Sequence, residues 1–268
     1  MQRLHPVLFE SAAAARTAQY DARRRYQKAE LAETVAMGAD GTATMRIDEI
    51  VERAILDVAA RHRVNVLSEE VGFVDHGSAY TTVLDPLDGS ANAAADVPLS
   101  CFSAAIAEDD RLSQALTVWM ESDRQWGGRC DGTDLVGGPW KITGRTVIDG
   151  GALSLLRPHP HTKEQWWSVA SRAARVRILS CSTLESVLVL QGSTDAICDA
   201  AEAIPDIDAL YLQAKGYCPA GSPKCGPGAL NGTQSGSWKA QTNDDWMAPI
   251  AAACKLSGAP SSCRPAKK

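Results

Sequence analysis

Asp85-Pro86-Leu87-Asp88-Gly89-Ser90-Ala91-Asn92 is the stretch on which the reading of this chain turns. It follows a short β-branched run over residues 81–84, so both aspartates stand where a strand gives way to a loop. Pro86 fixes the backbone between them. Two carboxylates three residues apart can then be turned into one small volume, where they repel unless a cation lies between them. Mg²⁺ suits such a pair: it takes oxygen ligands, keeps several waters and commonly joins one or two carboxylates to a phosphate. Gly89 lets the backbone approach a ligand closely, and a helix starting after it would offer free N–H groups to an anion. Taken alone, the stretch also reads as a plain turn in which Asp85 or Asp88 caps a helix.

The neighbours favour the first reading. A second β-branched run, residues 64–67, stops at Ser68-Glu69-Glu70. Adjacent glutamates by themselves read as a solvated pair on a rim. Upstream, Gly38-Ala39-Asp40-Gly41-Thr42 is a turn-rich loop. It leads into a helix whose Ile47, Ile50, Val51, Ala54, Ile55 and Val58 form one apolar stripe. Asp48 sits in the first turn, and Glu49 and Glu52 lie around the stripe. Acidic clusters placed repeatedly at strand ends and helix starts fit a metal cage better than they fit scatter.

The rest of the chain sets the frame. Residues 8–37 are rich in Ala, Glu, Arg and Gln and are expected to form one long helix ended by Gly38. Residues 101–107 and 116–120 read as strands of an antiparallel series punctuated by Gly127-Gly128 and Gly137-Gly138. Beyond Gly150 the pattern alternates: helix 163–174, strand 175–179, helix 183–191 ended by Gly192, strand 195–199, helix 206–215. From Gly216 onward Gly, Pro, Ser and Cys become frequent, and only residues 244–255 read as helix. The expected division is an α+β half over 1–145, an α/β half over 146–215, and an atypical tail, loop-like or poorly ordered, over 216–268.

Of 268 residues, 45% are hydrophobic and 22% charged, which is ordinary for a globular enzyme. The net charge of −5 shows no basic excess, which argues against nucleic acid as partner and not against a small anion held through a metal. No apolar run approaches the roughly 20 residues needed to cross a bilayer, and the first residues do not read as a signal peptide, so no membrane partner and a cytoplasmic location are expected. Cys101, Cys130, Cys181 and Cys198 lie singly in apolar or strand-like segments and read as buried small hydrophobes. Cys218, Cys225, Cys254 and Cys263 match no zinc spacing. No Ser-His-Asp triad is evident. His159-Pro160-His161 reads as a surface loop, and Trp166-Trp167 as packing.

The motif Asp85-Pro86-Leu87-Asp88-Gly89-Ser90-x-Asn92 resembles the signature of the inositol monophosphatase superfamily. Ser68-Glu69-Glu70 stands where that family has paired glutamates. Gly38-Ala39-Asp40-Gly41-Thr42-Ala43-Thr44 and Ile47-Asp48 resemble the mobile metal loop, and the aspartate after it, of the archaeal-type branch, whose members act on inositol phosphate and fructose bisphosphate. The resemblance covers residues 30–215. It implies an α/β (α+β mixed) fold, the layered αβαβα sandwich of the sugar-phosphatase type. It implies a Mg²⁺-dependent phosphomonoesterase with two or three ions and a small phosphorylated substrate, and suggests a homodimer by analogy. Residue by residue, it places Glu69, Asp85 and the Leu87 carbonyl on one metal, and Asp85, Asp88 and a later aspartate on the second. Ser90, with Asp48 as acidic partner, would orient the attacking water, with Glu69 also counted in the catalytic set. Asp88, Gly89 and Ser90 would hold the phosphate side of the substrate and Asp199 a substrate hydroxyl. Glu70 would stand behind the site or on a third, looser metal, and Asp40 and Thr42 would belong to the closing loop. The late ligand is Asp206, with Asp208 as the alternative. Both also read as a helix N-cap.

This sequence departs from the family pattern in two places. Ser180 stands in Arg177-Ile178-Leu179-Ser180-Cys181-Ser182 where the family has glycine, and Gly216-Tyr217-Cys218-Pro219 replaces the expected Glu-Ala-Gly-Gly. The abrupt change of composition motivates the hypothesis of a reading frame shifted near Asp206, which mass spectrometry and resequencing test. Competing readings keep the chemistry but change the leaving group to 3′-phosphoadenosine phosphate or histidinol phosphate, or make the chain a non-catalytic metal-binding relic.

Overall fold

The computed structural model describes residues 4–39, 41–108, 111–129, 135–137, 143, 149–155, 157–158, 160 and 163–198. Helix α1 (Pro6–Arg25) opens with proline at its first turn, and His5 caps it by accepting from the Val7 amide at 3.2 Å. Arg23, Arg24 and Arg25 close it, complementing the helix dipole. The expected single helix over residues 8–37 stops here. Tyr26 is extended, Gln27 starts the short helix α2 (Lys28–Leu31), and the chain enters strand β1 (Thr34–Met37). The reason is tertiary. Thr34 and Val35 are β-branched, and β1 pairs antiparallel with β2 (Ala43–Met45), a partner that helix propensity cannot register. Helix α3 (Arg46–His62) then buries Ile47, Val51, Ile55 and Val58 along the predicted stripe.

Strands β3 (Asn65–Ser68), β4 (Gly72–Val74) and β5 (Tyr80–Asp88) follow, then the short helix α4 (Ser90–Ala95). After it come β6 (Cys101–Glu108), β7 (Arg111–Trp119) and β8 (Gln125–Arg129). They form a six-stranded sheet in the order β4-β3-β5-β6-β7-β8, antiparallel except for the β3–β5 pair. Gly127-Gly128 lies inside β8 and does not interrupt the sheet. A Cβ at Gly127 would meet the Ala115 carbonyl oxygen at 2.4 Å, so the glycine serves close strand approach.

The second sheet holds the two expected strands and one more. Its central strand β9 (Ala152–Leu155) has a short pattern that the sequence reading passed over. It is flanked in parallel by β10 (Arg175–Arg177) and β11 (Ala196–Cys198), with α5 (Lys163–Ala170) and α6 (Ser182–Leu190) between them in the chain.

The layers follow from which faces are apolar. α1 and α3 lay Val7, Leu8, Ala12, Ile47, Val51 and Ile55 on one face of the large sheet, against Val66, Leu84, Phe102, Ile106, Leu116 and Val118. On the other face α6 packs Cys181 and Leu184 against Cys101, and α6 also touches β11. α5 covers the far side of β9 with Trp166, Val169 and Ala170, whereas Trp167 is exposed. The stack is therefore helix, sheet, helix, sheet, helix: the expected mixed α/β sandwich. Fully burying a residue such as Phe102 contributes roughly 1.5–3 kcal/mol. A polar knot ties α1 to the strand ends. Gln19 donates to the Ser100 hydroxyl (2.8 Å) and to Glu121 (2.9 Å), and Arg23 donates to Glu121 (3.0 Å) and to the Ala93 carbonyl of α4 (2.9 Å). No helix among the described residues is long and apolar enough to cross a membrane.

Candidate active site

The two aspartates of the quoted motif sit three residues apart in β5, and an unbroken strand would send them to opposite faces. The register shows why it does not. Asp85 lies opposite Ser103 and Asp88 opposite Cys101, so β5 carries one extra residue between them. That bulge, at Pro86-Leu87, restores both carboxylates to one face, and it falls where proline has no ladder bond to give. Asp85 Oδ1 also accepts from the Leu87 amide at 3.1 Å, which fixes the bend.

Asp85 meets Glu69 from the end of β3. Its pKa is raised well above the carboxylate range, first by burial, then by the charges of Glu69 and Asp88, by a proton-sharing hydrogen bond with Glu69, and by Asp48. The pair is thus a concentration of negative charge in low dielectric. Glu70 turns the other way. Thr44 of β2 donates to its carboxylate, and its carbonyl accepts from the Ala39 amide at 2.9 Å, which ties the loop after β1 to the end of β3.

Asp48, almost wholly buried, completes a capping box at the start of α3 by accepting from the Met45 amide at 3.0 Å. Burial pushes its pKa up to about 6, against the favourable contacts of the Ser90 hydroxyl and Met45 amide and with a further rise from Glu52. The Ser90 hydroxyl, in turn, donates to the Leu87 carbonyl at 2.8 Å. Ser90, Asp48 and the Leu87 carbonyl therefore come together. Gly89 makes this possible: its φ of +85° is left-handed, and a Cβ there would meet the Leu99 carbonyl oxygen at 2.7 Å.

Asp88 faces α6. Its Oδ2 accepts from the Thr183 amide (2.6 Å) and the Ser182 hydroxyl (3.1 Å), with the Cys181 thiol 3.5 Å away. Asn92 makes a second bridge, its Nδ2 donating to the carbonyls of Leu99 (2.9 Å) and Leu179 (2.8 Å). The segment around Ser180 is thus pinned to the motif, with Ser180 in the left-handed region at φ 54°.

Asp40, Asp199, Asp206 and Asp208 lie outside the described residues, as do Cys130, the His159-His161 pair and the tail from 199 onward. Cys101 and Cys181 are buried free thiols. The sequence reading gave no role to Ser182 and Thr183, and it placed Glu52 at the margin of the stripe, whereas Glu52 is buried. Its position one helical turn after Asp48 was the available signal.

Among the described residues, no three His, Cys, Asp or Glu side chains converge closely enough to enclose an ion unaided. The donor chemistry nonetheless fits a hard divalent cation. Burial and the Glu69 charge both raise the pKa of Asp85, as two carboxylates with no cation between them should, and Leu87 lies on the same bulge. Mg²⁺ binds through one or two carboxylates and completes its shell with water and phosphate.

Comparison with known proteins agrees with the architecture. The sequence model of the inositol monophosphatase family matches residues 3–212. A fructose-1,6-bisphosphatase/inositol-1-monophosphatase of Thermococcus kodakarensis is 29% identical over 174 residues, 62% of this chain and 63% of the relative. A fructose-1,6-bisphosphatase of Pyrococcus furiosus is 28% identical over 175 residues, covering 65% and 66% respectively. The chain thus spans a little under two thirds of the length of these curated relatives. The solved structure of an inositol monophosphatase–fructose 1,6-bisphosphatase superposes with a TM-score of 0.60 at 23% identity, over 76% of this chain and 80% of its own, and so shares the fold.

Proposed function

The chain belongs to the inositol monophosphatase family, and from that premise we propose that it is a Mg²⁺-dependent phosphomonoesterase acting on a small polyol or sugar phosphate. The observation that carries the reading is the bulge at Pro86-Leu87, which sets Asp85 and Asp88 on one face of the sheet beside Glu69. The names borne by the archaeal relatives support inositol monophosphate and fructose 1,6-bisphosphate as the substrates to try first.

In this proposal Glu69, Asp85 and the Leu87 carbonyl would hold the first cation, and Asp85, Asp88 and a late aspartate, Asp206 or Asp208, would hold a second. When bound, divalent cations supply a water of lowered pKa and neutralise charge on the transferring phosphoryl group. The protein's own groups do the rest. Asp48 holds the Ser90 hydroxyl, and the two orient the attacking water and accept its proton. The amides of Gly89 and Ser90 receive the phosphate. Asp88, with Asp199 as the resemblance implies, would bind the alcohol side of the substrate, and the segment held by Asp88 and Asn92 would form one wall. The site is arranged for in-line attack and needs no covalent intermediate.

Phosphate release from inositol 1-phosphate, fructose 1,6-bisphosphate, 3′-phosphoadenosine phosphate and histidinol phosphate, each with Mg²⁺ and with EDTA, tests the proposal. Mg²⁺-dependent turnover of either of the first two is the expected result. Turnover of one of the others alone would reassign the leaving group. A folded protein that turns over none would refute the catalytic reading.

A further inference from the structure

α3 presents two buried carboxyl groups one turn apart, Asp48 at 5% and Glu52 at 6% exposure, while Glu49 and Asp57 on the same helix are exposed. Asp48 belongs to the site already described. Glu52 does not touch it, yet burying a carboxylate on an apolar helix face is costly where leucine would fill the space. Among the described residues no lysine, arginine or histidine forms an ion pair with it. Its contacts lie elsewhere. Oε1 accepts from the Val71 amide at 3.1 Å, and the Ser68 hydroxyl lies near the same carboxylate without a close hydrogen bond.

Those two residues bracket the glutamates. Ser68 and Gly72 are the last paired positions of β3 and β4, so residues 69–71 form the loop between them. Val71 is the loop's last residue, and its amide has no partner across the ladder. The rest of the loop is held from other sides: Thr44 on the Glu70 carboxylate, the Ala39 amide on the Glu70 carbonyl, and Gly72 so close to Ala39 that a Cβ would stand 3.1 Å from that side chain. With Glu70 and Val71 held, the backbone that carries Glu69 is held with them, and Glu69 meets Asp85.

We infer that Glu52 is a positioning residue: it grips the β3–β4 loop from behind through the Val71 amide and so sets the aim of Glu69 at Asp85. The inference rests on the reading of Glu69 and Asp85 as cation ligands. A charge-assisted N–H···O⁻ bond is about twice as strong as a neutral one, and residues that orient ligands from behind typically control metal affinity by 10–100-fold. Glu52 is a helix residue, so the loop inherits the rigidity of α3.

The test measures cation binding apart from turnover. Mn²⁺ is titrated into the metal-free wild type and the Glu52→Gln, Glu52→Asp and Glu52→Leu variants, with free ion read by electron paramagnetic resonance and folding by thermal melting. E52L is expected to bind Mn²⁺ about 10-fold or more weakly, while E52Q, which keeps the acceptor at the same reach, stays within about threefold. E52D, one methylene short, is expected to weaken binding although the charge is retained. It decides the matter if E52L does not fold. Wild-type affinity in a folded E52L or E52D would overturn the inference, as would a wild type that binds no Mn²⁺. If the wild type binds Mn²⁺ with this dependence but hydrolyses no phosphoester, the phosphatase reading fails and the role of Glu52 stands.

Discussion

Asp48→Asn is expected to make the metal-free protein more stable and the enzyme inactive. In the native fold the carboxyl is buried, and its pKa rises from the ordinary 3.8 to about 6. In the unfolded chain it titrates at its ordinary value. Between those two values the folded state keeps a proton that the unfolded state has lost, so native stability falls as pH rises from about 4 to about 6 and stays depressed above that. At 1.36 kcal/mol for each pH unit, ionising Asp48 costs the metal-free fold about 3 kcal/mol at neutral pH. Asparagine cannot ionise, is nearly isosteric, and can still accept from the Met45 amide. Urea unfolding of both proteins in EDTA, at pH 4 and pH 7.5, should therefore show little difference at the lower pH and D48N more stable by about 2–3 kcal/mol at the higher. If Asp48 takes a proton from the attacking water as proposed, turnover should fall by about 100-fold or more, since Asn cannot take it. Equal stability at pH 7.5, or a gain that does not change with pH, would refute the account of Asp48 as a buried carboxylate kept for chemistry.

Three further outcomes are expected. Because burial and the Glu69 charge raise the pKa of Asp85, Mg²⁺ bound there as proposed competes with a proton, so apparent affinity is expected to rise with pH and binding to release protons; calorimetric titration in two buffers of different ionisation enthalpy should give different heats, and identical heats would contradict the raised pKa. Gly89→Ala places a Cβ at 2.7 Å from the Leu99 carbonyl oxygen at a left-handed φ, and is expected to cost about 2–4 kcal/mol in urea unfolding; a loss below about 1 kcal/mol would mean the turn relaxes freely. Ser180→Gly relieves the left-handed strain at φ 54° and is expected to raise stability by about 0.5–1 kcal/mol, whereas a loss would show that the serine hydroxyl holds the segment.

The site was legible in the sequence wherever its residues announced themselves by local spacing. Glu69 and Asp48 lie where they are expected, just past a strand and in a first helical turn, whereas Asp85 and Asp88 lie inside β5, which continues to Asp88 instead of ending at residue 84. What the spacing could not say is which face each carboxylate takes. That depends on the bulge in β5, a property of the pairing with β6 and not of β5 alone. The same limit explains the helix expected over residues 8–37, where strand β1 exists because β2 is beside it, and the punctuation expected at Gly127-Gly128, where Gly127 answers to the Ala115 backbone. Glu52 has no role in the sequence reading because its partner is an amide 19 residues away; its spacing from Asp48 hints at burial but cannot name that partner. The central strand β9 is four residues long, too short for its pattern to stand out from its surroundings.

The measurement that tests the central claim most directly is the anomalous difference map of a crystal of this protein soaked in Mn²⁺. The account predicts a peak within coordination distance of Glu69, Asp85 and the Leu87 carbonyl, lost when the crystal is back-soaked in EDTA. A bound Mn²⁺ elsewhere, with no density between Glu69 and Asp85, would contradict it.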